Sequence, residues 1–251
     1  MKEGTITLSD SGVKSLFYYA PSITFDGEGN IVVTWTATGM MPCVFEDADI
    51  PITAIFYSKY DTSGTVVSGY DKQTIAVGFN SAVAVNSSGD MIITWNTFDV
   101  FTLKVRIMAA IYSAQGGALS GPLEVGMRPD YTPSNFVDTG NYFLNTGIDI
   151  AADSAGNFFI AWGGSNILSN QIYLKEIYID GSYLSNEIQV SQGFDFNYGP
   201  SIAVDSQGNI VIAWNKFSLM NLSAGASSVY ARRFDNNLQA LGDEFKVNVS
   251  Y

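Results

Sequence analysis

Short apolar strands separated by a polar turn recur four times along this chain. The clearest copy, residues 200–214, reads PSIAVDSQGNIVIAW, in which the second apolar strand ends in tryptophan. Earlier copies occupy residues 21–35, 81–95 and 149–162. All four tryptophans of the protein are used in this way, so the similarity marks a structural repeat.

Each copy continues after the tryptophan into two more short strands, so that a complete repeat holds four. The second strands, such as residues 31–35 and 158–162, are continuous apolar runs, typical of strands buried on both faces. The last strands, such as residues 188–191, alternate in polarity and predict a half-exposed outer strand. This gradient predicts an all-β fold, a β-propeller built from four four-stranded antiparallel blades. The alternative is a four-blade segment of a longer propeller or array.

The repeats divide a single predicted domain, residues 1–251, into four approximate blades with one insertion, residues 127–146. Residues 5–8 resemble the last strand of each blade. We expect them to pair with the final blade near residues 244–249 and to close a four-bladed ring; in a longer array they would end a preceding blade. The predicted blades span residues 20–78, 79–126, 147–193 and 199–250.

The turn between the first two strands of each repeat carries a glycine three residues after an aspartate or asparagine. Glycine can adopt positive φ without a steric penalty, and the preceding side chain can cap the amides of the turn. Calcium binding is the alternative, although a calcium loop normally clusters several carboxylates. The glycines are Gly29, Gly89, Gly156 and Gly208. We expect the tryptophans to be packing wedges buried at equivalent positions between blades; they are Trp35, Trp95, Trp162 and Trp214.

Composition excludes several classes of function. The net charge is −12, and the 12 lysines and arginines form no cluster, so binding to nucleic acid or to an anionic membrane surface is not expected. With one cysteine and no histidine, the chain has no internal disulfide and no histidine-based triad or metal site. We therefore expect no cofactor and no metal. No run of 18 apolar residues occurs, so membrane insertion is not expected either.

The turn-and-tryptophan unit is similar to the Asp-box hairpins of sialidase-type propellers. It resembles more closely the Asp-x-x-Gly-Asn-x-x-x-x-Trp repeats of large secreted or surface-attached bacterial proteins. That resemblance implies an extracellular or cell-surface location and repeats without catalytic residues. A sialidase would need a central arginine cluster and a tyrosine nucleophile, whereas only four arginines occur here and two of them, Arg232 and Arg233, share one strand.

One face of the predicted propeller is rich in aromatic residues. The connections that enter each first strand and leave each second strand carry aromatic rings beside Asn and Asp, a combination that suits neutral glycans. Asp149 takes the first-strand position that Ser22, Ala82 and Ser201 hold in the other repeats, which places a carboxylate near the axis. The candidate ligand-binding residues are Tyr18, Tyr19, Tyr142, Phe143, Asp149, Asp195, Phe196 and Tyr198.

Three functions are compatible with these sequence features. The first, which we predict, is a non-enzymatic binding or adhesion module that presents the aromatic face to a neutral glycan or a protein ligand. The second is a purely structural spacer, in which repetition itself is the function. The third is a carboxylate-dependent glycan hydrolase with two acids drawn from Asp149, Asp195, Glu46, Asp47 and Asp99.

Overall fold

A computed structural model describes residues 14–42, 49–99, 101–102, 104–128, 147–165, 169–180, 182, 185–217 and 227–248. Over these residues the chain forms sixteen strands and no helix, so the predicted all-β class is confirmed. In this part of the chain there is accordingly no helix that could cross a membrane. The pairing predicted for residues 5–8 and the segment 129–146 lie outside the described residues.

The strands form four antiparallel units, each in chain order. A single parallel bridge, from Asn170 to Phe196, connects unit 3 to unit 4. Unit 1 holds β1 (Lys14–Phe25), β2 (Ile31–Pro42), β3 (Asp49–Tyr60) and β4 (Gln73–Val77). Unit 2 holds β5 (Phe79–Val85), β6 (Met91–Asp99), β7 (Lys104–Tyr112) and β8 (Ala118–Arg128). Unit 3 holds β9 (Ile148–Ala152), β10 (Phe158–Ser165), β11 (Asn170–Ile177) and β12 (Ile188–Gln189). Unit 4 holds β13 (Phe196–Val204), β14 (Ile210–Phe217), β15 (Ser228–Phe234) and β16 (Phe245–Lys246).

The units stack through the two faces of their second strands. Met91, Ile93 and Trp95 of β6 form one apolar cluster with Val32 and Ile55 of unit 1. The alternate residues of β6 turn to unit 3, as Ile92 does in the next cluster. The first strands β1, β5, β9 and β13 pack side by side in the same order. Apolar residues on both faces of the second strand therefore bury one unit against two neighbours.

The outer two units bury only one of these faces. Trp95, Trp162 and Trp214 are 2%, 0% and 1% exposed, as the repeat predicts, but Trp35 is only half-buried. Each buried tryptophan faces the preceding unit. Trp35 belongs to unit 1, which has no preceding unit among the described residues, so its ring rests on Phe56 of its own sheet instead.

The turns between first and second strands have the expected conformation. The φ angles of the four turn glycines are 82°, 84°, 96° and 82°. In unit 4, the Asp205 Oδ1 atom accepts hydrogen bonds from the Gln207 and Asn209 amides at 2.8 and 2.9 Å. This side chain therefore caps its own turn. Before the turn, β1 begins at Lys14, ahead of the start predicted for the first repeat.

Candidate functional site

A β-bulge interrupts three of the four first strands at the same place. In β1 the bulge sets Ala20 and Pro21 opposite Trp35, and the same two-to-one arrangement recurs at residues 80–81 and 199–200. The first bulge residue has a φ of 50°, 53° or 60° in these strands. A bulge bends its strand and leaves residues unpaired, and such features are common next to binding sites.

The bulges of units 1 and 2 and the start of β9 border a cavity of about 320 Å³, which we call the axial cleft. It lies where the first strands of three units converge, so neighbouring units supply its walls. Its lining is small and polar, apart from three alanine or proline side chains and Ile148. The lining residues are Ala20, Pro21, Ser22, Asn80, Ser81, Ala82, Gly147, Ile148 and Asp149.

Asp149 is the one carboxylate among the residues that line the axial cleft. Its Oδ1 atom accepts a hydrogen bond from the Ile150 amide at 3.0 Å. Its Oδ2 atom accepts from the Ser201 hydroxyl at 3.0 Å and from the Ile202 amide at 2.9 Å. Hydrogen bonds to a carboxylate are stronger than those to a neutral acceptor, so these three hold the side chain in one orientation.

The bond from Asp149 to unit 4 has a counterpart between units 1 and 2. There the hydroxyl of Ser22, at the equivalent position, accepts from the Val83 amide at 3.2 Å. A hydroxyl is therefore sufficient to connect neighbouring first strands. A carboxylate has about four acceptor positions, and three donors reach Asp149, so it retains capacity for a ligand in the cleft.

The candidate aromatic residues that the structure describes lie in strands rather than in loops. Tyr18 and Tyr19 belong to β1 and pair with β2, next to the bulge at Ala20. Tyr18 is 47% exposed, whereas the Tyr19 hydroxyl is hydrogen-bonded to the Thr38 hydroxyl at 3.1 Å. Burial raises the pKa of Tyr19 above its ordinary value. Tyr18 therefore offers the more accessible ring beside the cleft.

The unit 4 candidates form a different environment. Phe196 and Tyr198 lie in β13, and Asp195, just before it, forms an ion pair with Lys216 at 3.1 Å. Lys216 also pairs with Glu244. Burial alone would lower the pKa of Lys216, but the hydrogen bonds to the two carboxylates raise it. The Asp195 carboxylate is thus engaged within unit 4. Two further candidates, Tyr142 and Phe143, lie outside the described residues.

Other perturbed carboxyl groups lie elsewhere. Asp99 accepts the Phe101 and Thr102 amides and pairs with Arg106; the amides and this charge lower its pKa. Burial raises the pKa of Glu176, which lies near Asp153 at the turn end of unit 3. Burial also raises the pKa of Glu187. None of these groups lines the axial cleft.

Asn80 and Ser81 line the cleft but are not among the candidate residues predicted from the sequence. The sequence signal for these two residues is weak. Only comparison among the repeats shows that residues 80–81 correspond to Ala20-Pro21 and Gly199-Pro200, and both of those pairs contain proline. Asparagine is one of the few residues other than glycine that tolerate the left-handed conformation. A left-handed position common to three repeats was therefore detectable, but the cavity that it borders was not.

No protein-family model matches the chain, and no curated protein is detectably similar to it in sequence. Solved structures do share its fold. A protein of unknown function from Dyadobacter fermentans is 10% identical with a TM-score of 0.57, over 93% of this chain and 70% of that one. The GH93 α-L-arabinofuranosidase of Fusarium graminearum with arabinobiose is 10% identical with a TM-score of 0.57, over 91% and 65%. The α-L-arabinanase of Penicillium chrysogenum with arabinobiose is 12% identical with a TM-score of 0.58, over 93% and 67%.

The fold is therefore that of a β-propeller, and the chain spans about two thirds of the length of the structures it resembles. These similarities correct two predictions, namely that the protein is a non-catalytic binding or adhesion module and that it is not an enzyme. Both rested on repeats that contain no catalytic residue. The same fold supports glycoside hydrolases, because an active site can use strand ends and connections outside the repeated turn.

Proposed function

We propose that the protein is a carboxylate-dependent glycan hydrolase whose active site is the axial cleft. The observation that carries the proposal is the Asp149 carboxylate, which lies in the cleft of a fold shared with arabinan-degrading enzymes. The repeats at this position otherwise have serine or alanine, so the carboxylate is specific to unit 3. An inter-strand connection alone does not require it, since Ser22 makes the same connection.

In this proposal Asp149 acts as the base or the nucleophile of a catalytic pair. Most glycoside hydrolases use two carboxyl groups about 5 to 9.5 Å apart, one as acid and one as base or nucleophile. The three donors that reach Asp149 hold its carboxylate oxygens in one orientation, as hydrogen-bond acceptors. It would therefore activate a water molecule or attack the sugar directly.

The second carboxyl group is assigned to Glu46 or Asp47. Both lie outside the described residues, in the sequence between β2 and β3 of unit 1, the unit that supplies Ala20 to Ser22 of the cleft. Asp195 is less suitable because Lys216 neutralises it, and Asp99 is less suitable because Arg106 and two amides hold it.

The proposed substrate is a neutral oligosaccharide of pentose units. A cleft of about 320 Å³ accommodates a small sugar, and its hydroxyl and amide groups, such as those of Ser22 and Asn80, can bond to sugar hydroxyls. The net charge of −12 disfavours anionic sugars. The exposed ring of Tyr18 would stack on a sugar face. We also propose an extracellular or cell-surface location, which is supported by the resemblance of the repeats to those of secreted and surface-attached proteins.

Hydrolysis of arabino-oligosaccharides, followed by chromatography of the products, tests this function. Asp149→Asn should lower kcat at least 100-fold, since a catalytic carboxylate is lost. The variant should remain folded, because its amide oxygen can still accept from Ile202. The matched control is Asp205→Asn, an equivalent charge removal in a turn at the other end of the strands, and it should retain wild-type turnover. Absence of turnover in the wild type across neutral pentose and hexose oligosaccharides, or full activity of Asp149→Asn, would refute the proposal.

A further inference from the structure

The outward face of unit 1 is apolar and uncovered. We call it the leading face, and it contains Ile23, Phe25 and Trp35. Ile23 and Phe25 are 63% and 65% exposed, whereas Val83 and Ile202, the equivalents of Ile23 in units 2 and 4, are 5% and 8% exposed. In those units the same position is buried against the preceding unit. The leading face of unit 1 therefore has the composition of a junction surface but no partner among the described residues.

The outward face of unit 4, which we call the trailing face, is also uncovered. It is the face that in units 1 to 3 packs against the following unit. Val211 on this face is 39% exposed, whereas its equivalents Val32, Ile92 and Phe159 are 3%, 0% and 1% exposed. A groove of about 380 Å³ runs over this face beside Val211 and Leu241. The apolar residue at this position is thus buried in three units and partly open to solvent in the fourth.

The two uncovered faces are the two halves of one kind of junction. At each of the three internal junctions, the second residue of one second strand shares an apolar cluster with the first, third and fifth residues of the next. Within the described ranges, no unit packs before unit 1 and none packs after unit 4. The occupant that fits both faces is a unit of this same repeat, because only such a unit presents the matching face on each side.

The number of units that would fill the space between the two faces follows from the similar structures. Four units cover 65% to 70% of the length of the similar structures from Dyadobacter, Fusarium and Penicillium, so a complete structure of that length corresponds to about six units. We propose that about two further four-stranded units of this repeat bridge the trailing face of unit 4 to the leading face of unit 1. The ring would then close with six units, and no apolar face would remain open.

A second copy of the chain fits these faces less well. Two copies joined head to tail would bring four units into a gap for about two, and a junction that cannot close produces an open filament. Among the described residues β13 and β1 do not pack against each other as the other neighbouring first strands do. This proposal concerns assembly and is independent of catalysis.

Cysteine labelling on chains of different length tests the ring. The native Cys43 is replaced by serine, and a single cysteine is introduced as Ile23→Cys on the leading face or Val211→Cys on the trailing face. One extended chain carries a copy of unit 2, residues 79–126, after residue 251. The other carries copies of units 2 and 3, residues 79–193. The rate of maleimide labelling is measured for each, with Ser63→Cys in an exposed turn as the control position.

Val211→Cys should label at least tenfold more slowly in both extended chains, because the first added unit covers it. Ile23→Cys should be protected to the same degree only with two added units, because only then does the ring reach unit 1 again. Unprotected Val211→Cys in both chains would overturn the junction. Protection of Ile23→Cys by a single unit, or its exposure with two, would overturn the number. Protection that rises with the concentration of the original chain would instead assign the faces to a second copy.

Discussion

Replacement of two equivalent tryptophans by phenylalanine should have unequal costs, although both rings are fully buried. In unit 4 the Trp214 indole donates to the Asn197 Oδ1 atom at 2.8 Å, and Asn197 is itself buried. In unit 3 the buried Trp162 indole nitrogen has no hydrogen-bond partner among the described residues. The same substitution therefore breaks a hydrogen bond in one unit and removes an unpaired donor in the other.

The size of the difference follows from what remains behind. In Trp214→Phe the Asn197 oxygen stays buried without a donor, because the other end of that amide is held by the carbonyls of Asn170 and Asp195 at 2.8 and 3.1 Å. A buried acceptor without a partner costs about 1 to 3 kcal/mol. Loss of ring volume is common to both variants. We therefore expect Trp214→Phe to be about 1 to 3 kcal/mol more destabilising than Trp162→Phe.

Urea unfolding followed by far-ultraviolet circular dichroism measures this difference, provided that the m values of the variants agree. A double-mutant cycle with Asn197→Ala isolates the pair, and the additional cost of Trp214→Phe should disappear in that background. Equal costs for the two tryptophans, or a larger cost at Trp162, would show that the hydrogen bond does not determine stability here. Trp35→Phe should cost least, because Trp35 is only half-buried.

Two further predictions concern the junctions and the turns. Burial alone would raise the pKa of Asp26, but Lys59 at 2.7 Å and hydrogen bonds from the turn lower it to about 2. Because the folded pKa is below the unfolded value, this stabilisation is complete above about pH 4 and is lost as the pH falls towards 2. It amounts to about 2 kcal/mol. Asp26→Asn should therefore remove this pH dependence of the urea midpoint. At Gly126 a Cβ atom would meet the Trp162 ring at 2.6 Å, whereas Gly121 has open space around it. Gly126→Ala should therefore lower the unfolding free energy by about 1 to 3 kcal/mol, and the control Gly121→Ala should lower it by under about 1 kcal/mol. Equal thermal stability of the two variants would contradict the close approach between residue 126 and the Trp162 ring.

Local patterns were enough to predict the repeat, its strands and its turns. Continuous apolar runs such as residues 158–162 correspond to strands buried on both faces, and the turn glycines adopt positive φ. These features depend on neighbours within about ten residues. The same reasoning failed for function, because a structural repeat says nothing about side chains that occur in one copy only, and Asp149 is such a side chain.

The position of a side chain relative to other units was decided only by the tertiary structure. Trp35 has the same local sequence context as Trp95, yet it is half-exposed because burial depends on the unit that precedes it. Ser201 and Ile202 are 52 and 53 residues from Asp149, and no local pattern brings their donors to its carboxylate. The sequence by itself thus determined what each unit is, since strand period and turn chemistry are local. The stacking of units determined which residues are buried, which border the cleft and which faces remain open, because those properties require contacts between units.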